Sequence, residues 1–300
     1  MKMLFPLSSA RGFSVSAIGN AVVEVLKPVA KKAAGKPARA RSSRDGKVWL
    51  VGAGPGDAEL LTLKALRAIN SADVIFYDYL VSPDIRALFP THIPAFYVGK
   101  AKSQHSIAQG DLNRLLVDQA RLGLKVCRVK GGDPFVFGRG SEELLELRRA
   151  GIAAEVIPGI TSASGCSTYA DIPLTHRGIA QGCTFVTAHA EKSLDLNWQA
   201  LAQLNHTLVF YMGLTRADFI AGQLLAGGLD AQTPVAIIEN GCRTNQRNLI
   251  SNLQDFPAVV VREQVQSPAL IIVGEVVKVR EQLQAPHLQE LLAGQQRLLA

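Results

Sequence analysis

Three hundred residues, about half of them apolar, suffice for one large core or two ordinary ones. No apolar run approaches the ~18 residues of a membrane span, so a soluble chain without a membrane partner is expected. The net charge of +7 is no nucleic-acid footprint, because residues 1–46 hold nine Lys/Arg against two acids while residues 47–300 hold 23 of each.

Residues 1–46 come first in chain order. Their basic stretch at 31–44 buries too little to fold, which predicts a disordered extension. Its arginines, its serines and its shortage of acids leave two further readings, an organelle-targeting leader on an otherwise cytoplasmic chain or a weak anion-binding arm. Organised sequence begins at Lys47 with a strand-like run over 48–52. The turn Gly52-Ala53-Gly54-Pro55-Gly56-Asp57 follows, then a helical spacing of leucines over 58–69 with Asp57 as candidate cap. A dinucleotide fingerprint would want glycine at position 57, and a phosphate loop would want Gly-Lys-Ser/Thr. The turn reads equally as a plain tight connection or as backbone brought close to a ligand that is not a phosphate.

The next predicted strand, 72–78, ends in Asp78. Leu112, Leu115, Leu116 and Ala120 predict a helix over 109–122, followed by a strand at 124–129. A helix capped by Ser141 is predicted at 141–150 and a strand from 153 to a stop at Pro158-Gly159. Strands at 184–188, 207–213, 234–240 and 268–277 and helices at 198–204 and 215–226 continue the alternation. An amphipathic helix is predicted at 284–300. The rhythm implies an α/β fold with a largely parallel sheet, divided into a domain at 47–158, a second at 159–283 and the appended helix. Four cysteines without a Cys-x-x-Cys pair, and six histidines without ligand spacing, imply buried reduced thiols and no metal.

Three further strand ends share the character of the 52–57 turn: Asp78, Gly131-Gly132-Asp133 and Met212-Gly213. Ligands of open α/β sheets bind beyond such ends, so a pocket is expected there. The stretch VKGGDPFVFGRG, 129–140, sets glycines beside an apolar patch, as backbone pressed against a ligand with a hydrophobic wall would require.

GAGPGD…LLTLKA, YDYLVS, VGK…H, VKGGDPFVFGRG, PGITSASGCSTYADIPLTHRG and FYMGL occur in that order between about Lys47 and Leu283. In these motifs the chain resembles the S-adenosylmethionine-dependent tetrapyrrole methylases, and among them those that methylate uroporphyrinogen III. The resemblance implies a two-domain class III methyltransferase fold, each domain a mostly parallel or mixed sheet with flanking helices. It implies transfer of two methyl groups from S-adenosylmethionine to C-2 and C-7 of uroporphyrinogen III. Precorrin-2 would form through precorrin-1, with S-adenosylhomocysteine released, in sirohaem, cobalamin or haem d1 biosynthesis. A homodimer is implied as well.

By the same resemblance Asp78 is the proton acceptor and Lys100 the proton donor, although Lys100 also suits a clamp on a substrate carboxylate. Cofactor contacts are implied for Pro55, Gly131, Gly132, Asp133, Val136, Thr161, Ser162, Met212 and Gly241. Asp133 would accept from the cofactor's amine or ribose, and residues 135–137 would supply the apolar wall. Met212 taken by itself reads as core. A substrate with eight carboxylates needs a basic pocket. Lys102, His105, Arg139, His176 and Arg177 are candidates, alongside Arg128, Lys130 and Arg243; neighbouring glycines favour Arg139 and Arg177.

The chain departs from close relatives at Ala101, where they carry arginine, at Ala188, where glycine is expected, and in lacking an aromatic C-terminus. No dehydrogenase- or chelatase-like segment precedes Lys47, so a stand-alone methylase is expected. The same fold would also serve a methylase of later corrins or of another macromolecule, or a tetrapyrrole carrier without turnover.

Overall fold

The computed structural model describes residues 46–99, 108–189 and 196–285. They fall into two compact units, one running to Thr161 and the other starting at Ser162, a little beyond the division at 158/159 drawn from the sequence. The basic extension, the segment bearing Lys100, Ala101, Lys102 and His105, and most of the 284–300 segment lie outside the described residues. Residues 279–285 are helical.

The first unit contains strands β1 (Lys47–Gly52), β2 (Val74–Tyr77), β3 (Ala95–Tyr97), β4 (Lys125–Lys130) and β5 (Ala153–Ile157). All pair in parallel, in the order β3-β2-β4-β1-β5. Its helices are α1 (Leu63–Asn70), α2 (Pro83–Ala87), α3 (Gln109–Arg121) and α4 (Gly140–Arg149). Alternate strand residues feed two apolar layers. Val48, Leu50, Phe76 and Val126 pack with Leu112, Leu116 and Leu147 of α3 and α4. Val51, Ile75, Cys127 and Val129 pack with Ala65, Ile69 and Ile85 of α1 and α2. Strands covered on both faces show no polar alternation, which is why 74–77 reads as one apolar run.

The helix expected over 58–69 is two elements. Asp57 caps only a short 3-10 turn, Ala58–Leu60, through Glu59 N at 2.8 Å. Thr62 then caps α1, its hydroxyl accepting from Ala65 N at 3.1 Å. Ser141 is likewise not a cap. The helix starts at Gly140, and Arg139 stands at the cap position in a left-handed conformation without a side-chain capping bond.

The second unit contains α5 (Ser162–Tyr169), β6 (Gly182–Thr187), α6 (Trp198–Gln203), β7 (His206–Tyr211), α7 (Ala217–Ala226), β8 (Pro234–Glu239), β9 (Arg247–Asn252), α8 (Phe256–Arg262) and β10 (Ala269–Val273). Its sheet runs β6-β7-β10-β8-β9, and only β6 and β7 are parallel. The strand-helix rhythm therefore overstated parallel pairing here. Phe210, Ile237 and Ile271 meet Trp198, Ile220, Leu224 and Phe256 in its core. The strand read over 268–277 stops at Val273, because Gly274 turns the chain (φ +142) into a 3-10 segment, Glu275–Lys278.

One polar island lies inside the first unit. Arg128 and Lys130 of β4 and Glu143 of α4 are 4%, 5% and 0% exposed, so none is a surface charge. Lys130 Nζ donates to Glu143 Oε1 at 3.0 Å, and Arg128 Nε lies 3.5 Å from the same oxygen. Burial lowers the proton affinity of Lys130 first, the Arg128 charge lowers it further, and Glu143 opposes both.

Two packing tests follow from the glycines. A Cβ on Gly159 would stand 2.4 Å from the Gly132 carbonyl oxygen and 2.7 Å from Gly52 C, all backbone. Gly159→Ala should destabilise by about 1–3 kcal/mol in urea unfolding. Gly222, inside α7 with open space around it, should gain about 0.5–1 kcal/mol as Gly222→Ala. Lys130 gives a signed pH test. Between its lowered folded value and 10.5, the unfolded chain binds the extra proton, so this lysine's contribution becomes more favourable as pH rises through that window. Urea melts from neutral pH to 10.5 should show the wild type gaining stability relative to Lys130→Met.

Candidate functional site

The carboxyl ends of β1, β4 and β5 meet through backbone. Ala53 N donates to Lys130 O at 2.8 Å, Gly54 N to Gly132 O at 3.1 Å, and Gly132 N to Gly54 O at 2.7 Å. Gly54 and Gly132 both carry left-handed φ angles, +74 and +67, that a side chain would resist. The two glycine turns singled out in the sequence are thus one paired structure. Asp133 ties in β5: Oδ2 accepts from Gly159 N at 3.1 Å and Oδ1 from Phe135 N at 2.8 Å. Each oxygen keeps a second lone pair, so holding the loop leaves Asp133 able to accept from a ligand. Gly131 is close-packed for another reason, since a Cβ there would meet Leu80 Cβ at 2.4 Å. Pro55 is buried and Val136 half-buried.

Beyond Asp133 the chain is strained. Phe137 and Arg139 take φ of +52 and +57, a region non-glycine residues enter at a cost of order 1–3 kcal/mol. This path leaves Phe135 and Phe137 exposed, as an apolar wall requires. Arg139 is exposed but engaged. Its Nε and Nη2 hold Glu142 Oε1 and Oε2 at 2.8 and 2.7 Å, a two-pronged pair on the first turn of α4. That hydrogen bonding draws the Glu142 carboxyl below its ordinary range.

Asp78 follows β2 directly. Its Oδ1 accepts from Leu80 N at 3.1 Å and its Oδ2 from Arg128 Nη2 at 3.3 Å. Neighbouring Tyr97 has its phenol pushed up by burial first and by the Asp78 charge second. A strand-end carboxylate held by one guanidinium nitrogen is a reasonable proton acceptor. Arg128 and Lys130 must be withdrawn as contacts for substrate carboxylates, because both are buried and committed to Asp78 and Glu143.

In the second unit Thr161's successor Ser162 opens α5, and Ala163 N donates to the Tyr211 hydroxyl at 2.9 Å. Met212, next after Tyr211, is half-exposed with φ +55, so it is not the core residue its type would indicate. Gly241 lies against α5, where a Cβ would meet Cys166 Sγ at 2.3 Å. Its neighbours Asn240 and Cys242 both take left-handed φ angles. Gln246 braces this turn, its Oε1 accepting from Cys242 N and its Nε2 donating to Tyr169 O. Ala188 is 1% exposed and donates to Tyr211 O at 2.9 Å, so alanine is accommodated where glycine was expected. His176 and Arg177 are exposed in a turn closed by pairing of His176 with Ala180, and His176 Nδ1 lies 3.0 Å from Arg177 O. Glu142, Glu143 and Tyr211 were missed in the sequence. For the two glutamates one legible signal existed, two adjacent acids in the first turn of a helix entered from an arginine; for Tyr211 there was none.

The chain matches the family model for tetrapyrrole (corrin/porphyrin) methylases over residues 47–257. A siroheme synthase of Pseudoalteromonas translucida is 50% identical over 245 residues, 81% of this chain and 52% of that one. One of Acinetobacter baylyi is 52% identical over 240 residues, 80% of this chain and 52% of that one. The chain thus spans about half the length of these curated relatives. The crystal structure of the Thermus thermophilus uroporphyrin-III C-methyl transferase with S-adenyl homocysteine superposes with a TM-score of 0.68 at 42% identity, covering 78% of this chain and 94% of that one. The chain belongs to the tetrapyrrole methylase family.

Proposed function

We propose that this chain is an S-adenosylmethionine-dependent C-methyltransferase of uroporphyrinogen III, adding methyl groups at C-2 and C-7 to give precorrin-2 by way of precorrin-1. The observation that carries this reading is the correspondence with nearly the whole length of the Thermus thermophilus enzyme, whose structure holds the demethylated cofactor. The siroheme synthase relatives support placing the product on a route to sirohaem.

The residues fit a nucleoside with an amino-acid tail. Phe135 and Met212 offer exposed apolar surface, and Asp133 has lone pairs to spare. Pro55, Gly131, Gly132, Asp133, Val136, Thr161, Ser162, Met212 and Gly241 would hold S-adenosylmethionine. When bound, it supplies an electrophilic methyl on a sulfonium. The buried Pro55 and the close-packed Gly131 and Gly241 act by shaping backbone, whereas Met212 and Phe135 present side chains.

Asp78 takes the proton that the ring surrenders as the new carbon–carbon bond forms, and Lys100 returns one or clamps a carboxylate. Arg139, already oriented by Glu142, and Arg177 and His176 in their exposed turn receive substrate carboxylates, with Lys102 and His105. A two-pronged guanidinium suits that task better than a point charge. The protein works as a homodimer in the cytoplasm.

The deciding experiment is incubation with uroporphyrinogen III and labelled S-adenosylmethionine, followed by mass analysis. Two added methyls are expected; none would overturn the reading, and a single methyl would confine it to precorrin-1 formation. Asp78→Asn should lower kcat by about 100-fold or more while leaving S-adenosylhomocysteine binding intact. Arg177→Ala should raise KM for uroporphyrinogen III by roughly 10-fold, the loss of one charge-assisted contact.

A further inference from the structure

Glu143 is the one fully buried carboxylate among the described residues of the first unit, and the proposed chemistry leaves it without a task. Resting on the reading of Asp78 as proton acceptor, we propose that Glu143 is a positioning residue for Asp78, acting through Arg128 and Lys130. It draws both buried cations toward α4, so that Arg128 reaches the acceptor carboxylate with a single nitrogen.

The geometry is that of a shared anchor. Glu143 Oε1 accepts from Lys130 Nζ at 3.0 Å and from Gln109 Nε2 at 3.3 Å, and Arg128 Nε lies 3.5 Å away. Arg128 Nη1 is spent on Val129 O at 2.9 Å. Only Nη2 goes to Asp78 Oδ2, at a loose 3.3 Å. The Tyr97 phenol on β3 also lies near Asp78, along with the more distant Lys130 charge. The quartet Asp78, Arg128, Glu143, Lys130 pairs two carboxylates with two cations. Without the Glu143 charge, both cations lean on Asp78 alone and hold its carboxylate too tightly to accept a proton.

Stability is a poor explanation for the arrangement, since apolar residues usually replace buried ion pairs without loss. Glu143 Oε2 and Arg128 Nε are buried with no hydrogen-bond partner among the described residues, a state that stability alone would not favour. The first turn of α4 suits the role. The positive end of the helix favours carboxylates there, and adjacent Glu142 orients Arg139. One turn would then set both the proton acceptor and a substrate-binding arginine.

The test compares wild type, Glu143→Gln, Lys130→Met and the double variant Lys130→Met/Glu143→Gln. Steady-state rates are read alongside S-adenosylhomocysteine affinity by calorimetry, at temperatures where melting curves show each chain folded. Glu143→Gln should lose at least about 10-fold in kcat, with KM and S-adenosylhomocysteine affinity within about 3-fold of wild type. Lys130→Met should lose much less, and the double variant, with charge balance restored, should return to within about 3-fold of wild type.

An unchanged kcat in Glu143→Gln overturns the proposal. So does equal loss in both single variants, or a double variant no faster than Glu143→Gln, since either marks a merely structural cluster. If Glu143→Gln does not fold, Glu143→Asp replaces it, keeping the charge with a shorter reach; kcat should fall while KM holds, and an unchanged kcat again overturns the idea. Absence of methyl transfer by the wild type would instead refute the functional reading itself, and this proposal with it.

Discussion

Three glycines stand where β1, β4 and β5 end, and the space between them admits no side chain. A Cβ on Gly52 would lie 2.5 Å from Gly159 N and 2.8 Å from Gly132 O. Everything at this corner follows from that closeness. The Gly54–Gly132 pairing closes because the backbones approach, and Asp133 can span to Gly159 because β5 ends beside β4. Asp133 is fixed at both oxygens, and downstream of it Phe137 and Arg139 take left-handed conformations. That path projects aromatic rings outward and delivers the chain into α4 at a set angle.

The start of α4 links this corner to the interior charge. Successive side chains on a helix point about a quarter-turn apart, so neighbouring acids serve different surroundings. Glu142 faces outward to Arg139 while Glu143 faces the sheet and meets Arg128 and Lys130. The two carboxylates differ in worth. The exposed pair adds little to stability. The buried one is held in a place where removing a single partner typically costs several kcal/mol, because a bare charge remains.

Much of this is legible in the sequence. The long leucine stripes of 109–122 and the apolar runs 48–52, 74–77 and 207–211 declared themselves, because period and β-branching agree with burial there. The elements that escaped are those whose burial comes from neighbours. α5 (SASGCSTY) has no apolar stripe; it packs through small residues, Ala163, Gly165, Cys166 and Ser167, against a close backbone. β3 has only three residues, and β9 is a half-exposed edge strand of mixed polarity. Thr62 outcompeted Asp57 as the cap of α1 because a short 3-10 turn intervened, a local choice that leucine spacing does not register. At the site, residue types and glycine turns marked the right strand ends. What they could not reveal was which basic residues are already spent. Arg128 and Lys130 look like any other cations in a string, and only the burial of Glu143 beneath them shows otherwise.

The strand order of the first unit has a consequence for synthesis on the ribosome. β4 lies between β2 and β1, and β1's other neighbour is β5. No partner for β1 exists until Lys125–Lys130 has emerged, and β2 has only the three-residue β3 beforehand. Through that interval the nascent chain carries an apolar, unpaired Val48–Val51 segment with both edges open. Non-local parallel pairing of this kind folds slowly and leaves strands vulnerable to association. Trigger-factor-like holding activity, or a slow stretch of translation, would find its use between the first strand and the fourth.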